Sequence, residues 1–319
     1  MTTVEKPEES KLVITALESG IDYSDLESAP DEALLIQVVG IWPDILAELS
    51  RKFEVDLEDL QDLQDLDERP RLQVEDKFIM IVLRVPVDLE RPDREYSTTP
   101  IGLFSNGRDI IVVQNAEIPL RKKRLKGVLK RTTTVSGAIY NIWEIVIHSF
   151  ETTLDIVEAT INDTEERILK EIYPSQLDRF FQLSRDAIFM EAALKSNMKV
   201  LRRMKKLQRF GRMLLDEDRL KELEVDLHQQ MELSAIYREL IENAMSQYDS
   251  IVSHNLNKVM KTLTSISLLV SVPTLIASIY GMNVGLPLEN DPIAFIVILL
   301  GSLIITAPLL VFLRVKGLV

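Results

Sequence analysis

The sequence predicts a charged α/β part that leads through one long helix into a two-helix membrane hairpin. Three observations carry this reading. Leu263 to Tyr280 and Pro292 to Leu313 are runs of 18 and 22 residues without a charged side chain, whereas residues 1–261 are crowded with Asp, Glu, Lys and Arg. As helices these runs would reach roughly 27 to 33 Å, about the thickness of bilayer hydrocarbon. Short Val- and Ile-rich runs alternate with helical ones near the N-terminus, the pattern of an α/β layer. Finally, Arg219 to Lys261 contains neither proline nor glycine and flows into the first apolar run with nothing to break it.

Taken in order, "KLVITAL", "ALLIQVVG", "KFIMIVLRV" and "DIIVVQN" read as strands, short and β-branched. Between them "PDILAELSRKF" is a helix opened by proline, and "IPLRKKRLKGVLKR" is a later one. The stretch "VDLERPDREYSTTP" reads as a connection marked by its prolines. Beyond Thr134 the strand signal gives way to three helices. The first stops at Pro174, the second runs from Pro174 to about Phe210 and ends near Gly211, and the third begins near Asp216. A helix of around sixty residues cannot be stable alone, so it must pack on copies of itself or on the two helices before it.

The 319 residues give material for a substantial core. Cysteine is absent, which removes disulfides, thiolate metal sites and cysteine nucleophiles together. A formal charge of −13 argues against nucleic acid and for cations as partners. The N-terminus lacks a basic segment followed by an apolar one, so no cleaved signal is expected. His254, Lys258 and Lys261 precede the first span and Arg314 and Lys316 follow the second, while the loop between carries Glu289 and Asp291. The positive-inside bias then places both termini in the cytoplasm, in a multi-pass protein of the cell (inner or plasma) membrane.

The run "DLEDLQDLQDLDE" repeats Asp56, Asp59, Asp62 and Asp65 in step with Leu57, Leu60, Leu63 and Leu66. It reads either as a solvated helical face or as acids that attract a divalent cation, and it lacks the glycine turn of an EF-hand. The basic clusters at 121–126 and 199–206 are expected to face acidic helices or lipid headgroups. His148, His228 and His254 have no partner at ligand spacing. No P-loop, nucleophile elbow or dinucleotide-binding glycine pattern appears, so no enzyme is expected.

The informative feature lies inside the first span. Thr264, Ser267, Ser271, Thr274 and Ser278 are spaced 3, 4, 3 and 4, a heptad seam of hydroxyls that extends back to Met260 and Asn257. In a membrane such a seam glues helices together or lines water, and its full-length run favours a pore. Two helices per chain cannot enclose a water-filled path, so several subunits must share it. Leu263, beside the seam at the cytoplasmic mouth, supplies a hydrophobic ring that closes by dewetting.

Tyr280-Gly281-Met282-Asn283 at the end of that span resembles the defining Gly-Met-Asn motif of the CorA family of magnesium and cobalt channels. "NKVMKTLT" at 257–264 and "ERPRLQVEDKFIMIVLRV" at 68–85 are similar to further segments of that family. The resemblance implies a funnel-shaped homopentamer with a cytosolic α/β/α sandwich, a stalk helix and a transmembrane hairpin. It also implies passive Mg²⁺ influx driven by the membrane potential, with Co²⁺ or Ni²⁺ as further cargo.

On this reading residues 1–133 form the N-terminal cytosolic α/β part, 134–213 an antiparallel helical pair and 214–261 the stalk. The pore-lining span is 262–281, the external loop 282–291, the second span 292–313 and the cytosolic tail 314–319. Gly281, Met282 and Asn283 would form the selectivity ring, with Tyr280 behind it and Glu289 and Asp291 as an acidic collar. By the resemblance, Asp62 of one subunit would bind regulatory Mg²⁺ with Glu222 and Asp226 of its neighbour, giving negative feedback. Two positions depart from the family pattern: Ser271 stands where relatives often have Met, and the tail "LRVKGLV" is poor in Lys. The competing readings are a Zn²⁺ transporter of the same superfamily and a membrane-tethered metal sensor or scaffold.

Overall fold

The structure is a computed structural model that describes residues 12–40, 42–91, 94–114, 133–170, 174–207, 209–210, 213–288 and 291–317. Two compact units divide the chain, 1–244 and 245–319. The helix predicted at 118–131 and the basic cluster at 121–126 lie outside the described residues.

The first unit is built on a mixed seven-stranded sheet in the order β2-β1-β3-β7-β6-β5-β4. Its strands are β1 (Leu12–Ala16), β2 (Asp22–Tyr23), β3 (Leu34–Val39), β4 (Arg71–Val74), β5 (Ile79–Arg91), β6 (Arg94–Ser105) and β7 (Ile110–Gln114). All neighbours are antiparallel except β3 and β7. The four apolar runs expected as strands form β1, β3, β5 and β7.

On one face lie α1 (Pro43–Phe53) and the short α2 (Leu57–Gln61). Their Leu46, Leu49, Phe53 and Leu60, with Leu63 from the turn that follows, pack with Ile14, Ile36, Met80, Val82, Phe104, Ile111 and Val113 of the sheet. The other face is covered by α3 (Val135–Lys170) and α4 (Pro174–Met204), which lie on β5 and β6. In β5 the alternate residues Ile79, Ile81 and Leu83 are buried as fully as Met80 and Val82, because helices cover both faces. That is why its sequence is a continuous apolar run rather than an alternating one. The result is an α/β/α sandwich.

Residues 87–91 and 94–100 are a correction: they belong to the arms of a β-hairpin, not a loop, with Val87 opposite Ser97 and Arg84 opposite Pro100. Pro86, just before them, and Pro100 sit where no ladder donor is needed. The Asn197 side chain on α4 bonds both backbone groups of Arg84, so Arg84 and, two residues on, Pro86 face the edge of β5 away from β6. Pro100 directs its nitrogen towards β7, whose pairing with β6 ends at Ile101 opposite Gln114. A second correction is the end of α4, at Met204 rather than near Phe210; residues 209–210 and 213–214 pair as the small strands β8 and β9.

The long helix α5 (Glu217–Tyr280) has 64 residues. Within the first unit its buried positions are Leu220, Leu223, Leu227, Gln230, Ser234, Tyr237, Ile241 and Ala244, a 3-4 spacing that seats one stripe against α3 and α4. Cross-helix bonds fix the docking. Arg219 reaches Glu144 of α3 at 3.1 Å and lies over the Tyr140 ring, and Tyr237 donates to Glu158 of α3 at 2.9 Å. Arg202 of α4 and Lys205, just past its end, both hold Glu224. These last two come from the basic stretch 199–206, which therefore faces an acidic helix. They and burial act oppositely on Glu224, and the lysine and arginine win, holding its carboxyl below the usual range.

The second unit contains the remainder of α5 and α6 (Ala294–Val315). Both helices are long and apolar enough to cross a membrane.

A polar helix face, its terminal loop and an arginine-held acid cluster

Within the apolar run Leu263–Tyr280 the covered positions of α5 are Ser265, Leu269, Val272, Pro273 and Ile276, and those of α6 are Ala294, Ile298, Gly301, Ser302, Thr306, Leu309 and Leu313. Each helix is the partner available to shield the other, so these stripes face one another. The hydroxyl seam occupies a different face. Thr264, Ser267, Ser271, Thr274 and Ser278 are all exposed. At 100° per residue they centre about 160° around the helix from the covered stripe. Asn257, Met260 and Leu263 are exposed as well, Met260 and Leu263 at 57% and 56%.

Two hydroxyls of the seam are oriented by their own helix. Ser271 Oγ donates to the Leu268 carbonyl and Thr274 Oγ1 to the Val270 carbonyl, each at 2.8 Å. A hydroxyl has one proton and two lone pairs, so spending the proton inward leaves an acceptor facing out. The seam is thus suited to O–H donors such as the waters around a cation.

At the helix end, Gly281 N–H bonds the Ser278 carbonyl and Met282 N–H the Ile279 carbonyl, both at 3.2 Å, tightening the last turn before Asn283. Tyr280, Gly281, Met282 and Asn283 are all exposed. A Cβ built on Gly281 would meet the Ala277 and Ser278 carbonyls at 3.5 Å, an ordinary contact, so this chain by itself does not demand glycine there. Asp291 Oδ1 accepts from Ile293 N–H at 2.9 Å in the turn just before α6. Glu289, the other acid expected in the collar, lies outside the described residues.

The repeated aspartates do not share one helical face, which corrects that part of the sequence reading. α2 ends at Gln61 and a 3₁₀ turn follows at Asp62–Gln64, whose three-residue period matches the Leu-Asp spacing. Leu60 and Leu63 are buried, and each acid has its own task. Asp56 caps α2 through Glu58 N–H, and Asp65 accepts from Asp67 N–H. Asp59 and Asp62 turn to Arg71, the first residue of β4, at 3.9 and 2.8 Å, and Glu68 pairs with the same guanidinium. Burial pushes the Asp59 carboxyl up, and Arg71 opposes that rise.

Arg71 is a residue the sequence reading passed over. The signal for it was its position in "DERPRLQVED", a cation directly after the acid run. Glu222 and Asp226 are exposed on α5, off the buried stripe of Leu220, Leu223 and Leu227. Among the described residues, no three of His, Cys, Asp and Glu converge as metal ligands within the chain. Asp62 is half-buried against Arg71, while Glu222 and Asp226 are hard oxygen donors open to solvent. His148 and His228 instead lie beside Glu151 and Glu232 on their own helices, at 2.8 and 3.5 Å.

Residues 43–314 match the family described as CorA-like Mg²⁺ transporter protein. The chain is 25% identical over 301 residues to the cobalt/magnesium transport protein CorA of Methanocaldococcus jannaschii, covering 89% of this chain and 92% of that one. It is 22% identical over 224 residues to the cobalt/magnesium transport protein CorA of Thermotoga maritima, covering 68% and 63%. The complete structure of the CorA magnesium transporter from M. jannaschii superposes with a TM-score of 0.82 at 23% identity over 100% of both chains.

Proposed function

Because the chain belongs to the CorA-like Mg²⁺ transporter family, we propose that it is a channel-like importer of Mg²⁺, with Co²⁺ or Ni²⁺ as further cargo, working as a homopentamer. The observation that carries this reading is the uncovered hydroxyl face of α5, turned about 160° from the stripe that faces α6. An unshielded row of hydroxyls in hydrocarbon is costly unless it meets other copies of itself or water. Arranged about an axis, five such faces enclose a path whose wall presents oxygen acceptors to a hydrated ion.

Mg²⁺ dehydrates reluctantly, so a path that addresses its waters suits it better than one that strips them. A ring of Asn283 amides would accept from those waters without a formal charge, weakly enough to let the ion leave. Tyr280, Gly281 and Met282 position that ring, and Asp291 and Glu289 stand outside it. Met260 and Leu263 supply the apolar constriction near the inner mouth, with Asn257 below. The membrane potential drives entry, about 4.6 kcal/mol for a divalent ion per 100 mV. Both termini are cytoplasmic, and lipid surrounds α6. The segments 1–133, 134–213 and 214–261 form the cytosolic sensor and stalk, 262–281 and 292–313 the two spans, 282–291 the external loop and 314–319 the tail.

Cytosolic Mg²⁺ bound between Asp62 of one subunit and Glu222 and Asp226 of the next would clamp neighbours and close the path. Empty sites leave carboxylates repelling each other and favour opening. The test is ion flux into proteoliposomes at a set potential, Mg²⁺ against Zn²⁺, for wild type and Asn283→Ala. Wild type should carry Mg²⁺, and Asn283→Ala should lose selectivity or flux. A wild type that carries no divalent ion at any potential rules the channel out, and one that carries only Zn²⁺ assigns the zinc-transporting branch instead.

A further inference from the structure

Arg71 holds three carboxylates at once. Its Nη2 lies 2.8 Å from Asp62 Oδ2 and 3.9 Å from Asp59 Oδ1, and its Nη1 pairs with Glu68. The backbone of Arg71 is fixed in the sheet opposite Val82 of β5, so the guanidinium is delivered to the cluster by the fold. It carries one positive charge against three negative ones. The three acids are not equally placed: the Asp59 and Glu68 side chains are 16% and 17% exposed, whereas Asp62 is 40% exposed at the rim. Asp62 is also the residue proposed above to take regulatory Mg²⁺, and this inference rests on that reading.

We propose that Arg71 is a tethered competitor for Mg²⁺ at Asp62, and that it sets the cytosolic Mg²⁺ concentration at which the channel closes. A divalent ion and a guanidinium cannot share the Asp62 carboxylate without mutual repulsion, so the ion binds as Arg71 lets go. Release does not strand the arginine, because Asp59 and Glu68 still hold it, and the more buried pair is the one it keeps. The exchange is therefore graded: Arg71 raises the concentration needed without abolishing the site. The Asp62 turn rests on Leu63, which is fully buried, so a change at Asp62 has a rigid base to act through.

The test uses the full-length protein in proteoliposomes with two readouts, the Mg²⁺ midpoint for protection from limited proteolysis and the midpoint for closing the flux. Arg71→Gln should lower both by about fivefold, equivalent to about 1 kcal/mol at 1.4 kcal/mol per decade. Arg71→Lys keeps the charge but loses the fork, and should lower them by a smaller factor of about two; if Arg71→Gln does not fold, this variant decides alone. Asp62→Asn should abolish the protection, and adding Arg71→Gln to Asp62→Asn should not restore it. If Asp62→Asn loses the response while both Arg71 variants keep the wild-type midpoint, Arg71 has no such role and the regulatory reading of Asp62 stands. If Asp62→Asn responds as wild type does, both fall. A response restored in the double variant places the ion elsewhere in the cluster and overturns the proposal.

Discussion

Asn197 of α4 bonds both backbone groups of Arg84 in β5, accepting from its N–H at 2.9 Å and donating to its carbonyl at 2.8 Å. One side-chain amide thereby takes the place of a neighbouring strand where β4 has already ended. Asn197 is fully buried, so losing it strands two polar groups away from water. Asn197→Ala should cost about 2–6 kcal/mol, from roughly 1–3 kcal/mol for each of the two unsatisfied groups. Asn197→Asp keeps the size but cannot donate when ionised and should be comparably harmful. Denaturant midpoints of the full-length protein check both, and a loss well under 1 kcal/mol would show that the amide is not the edge partner.

Gly102 of β6 lies directly beneath the turn that carries Asp62. A Cβ there would fall 2.3 Å from Leu63 Cδ1 and 3.0 Å from a Phe104 ring carbon. Leu63 and Phe104 are both fully buried. Gly102→Ala should therefore destabilise by about 1–3 kcal/mol, the usual cost of overpacking. Adding Leu63→Ala should make the pair less harmful than the sum of the single changes, since the second removes the atom that the first strikes. Additive losses in thermal unfolding would contradict the contact.

The acid run and this glycine mark how far the sequence could be read. Leu60 and Leu63 were visible as periodic apolar residues, but which way each aspartate turns depended on Arg71, delivered from another element. The apolar runs of β1, β3, β5 and β7 were legible because burial on both faces selects for them. β6 was not, because "REYSTTP" is polar and ends in proline. What makes proline tolerable at positions 86 and 100 is tertiary: one faces an edge served by Asn197, the other the end of β7. The hydroxyl seam was legible as spacing alone. Its separation from the stripe facing α6 required the helix pair.

Alkaline stability should report the α3–α5 contact. Tyr237 is 7% exposed, and burial together with the Glu158 carboxylate pushes its phenol up to about 12. The ordinary value is about 10. Since the folded value is the higher one, the unfolded chain loses this proton first as pH rises. The contribution is fully present below pH 10 and is lost progressively between about pH 10 and 12. Tyr237→Phe should remove that part of the slope while costing about 1 kcal/mol at neutral pH. Equal slopes for the two proteins over that window would remove Tyr237 from the account.

The two faces of the membrane helices can be separated with a matched pair of substitutions. Thr274 of the seam and Thr306 of α6 use their hydroxyls identically, donating to the Val270 and Ser302 carbonyls at 2.8 and 2.7 Å. Replacing either by valine is nearly isosteric and removes one oxygen. The local helical cost is therefore common to both and cancels in the comparison. What differs is the face: Thr274 is exposed on the seam, and Thr306 lies on the stripe turned towards α5. If the seam lines the path, Thr274→Val removes an acceptor from every subunit of the ring. It should reduce Mg²⁺ flux by at least about fivefold, the effect of one hydrogen bond near 1 kcal/mol. Thr306→Val should leave flux within about twofold of wild type once protein amounts in the liposomes are matched. Equal losses from the two would mean that the hydroxyls serve helix packing and not conduction.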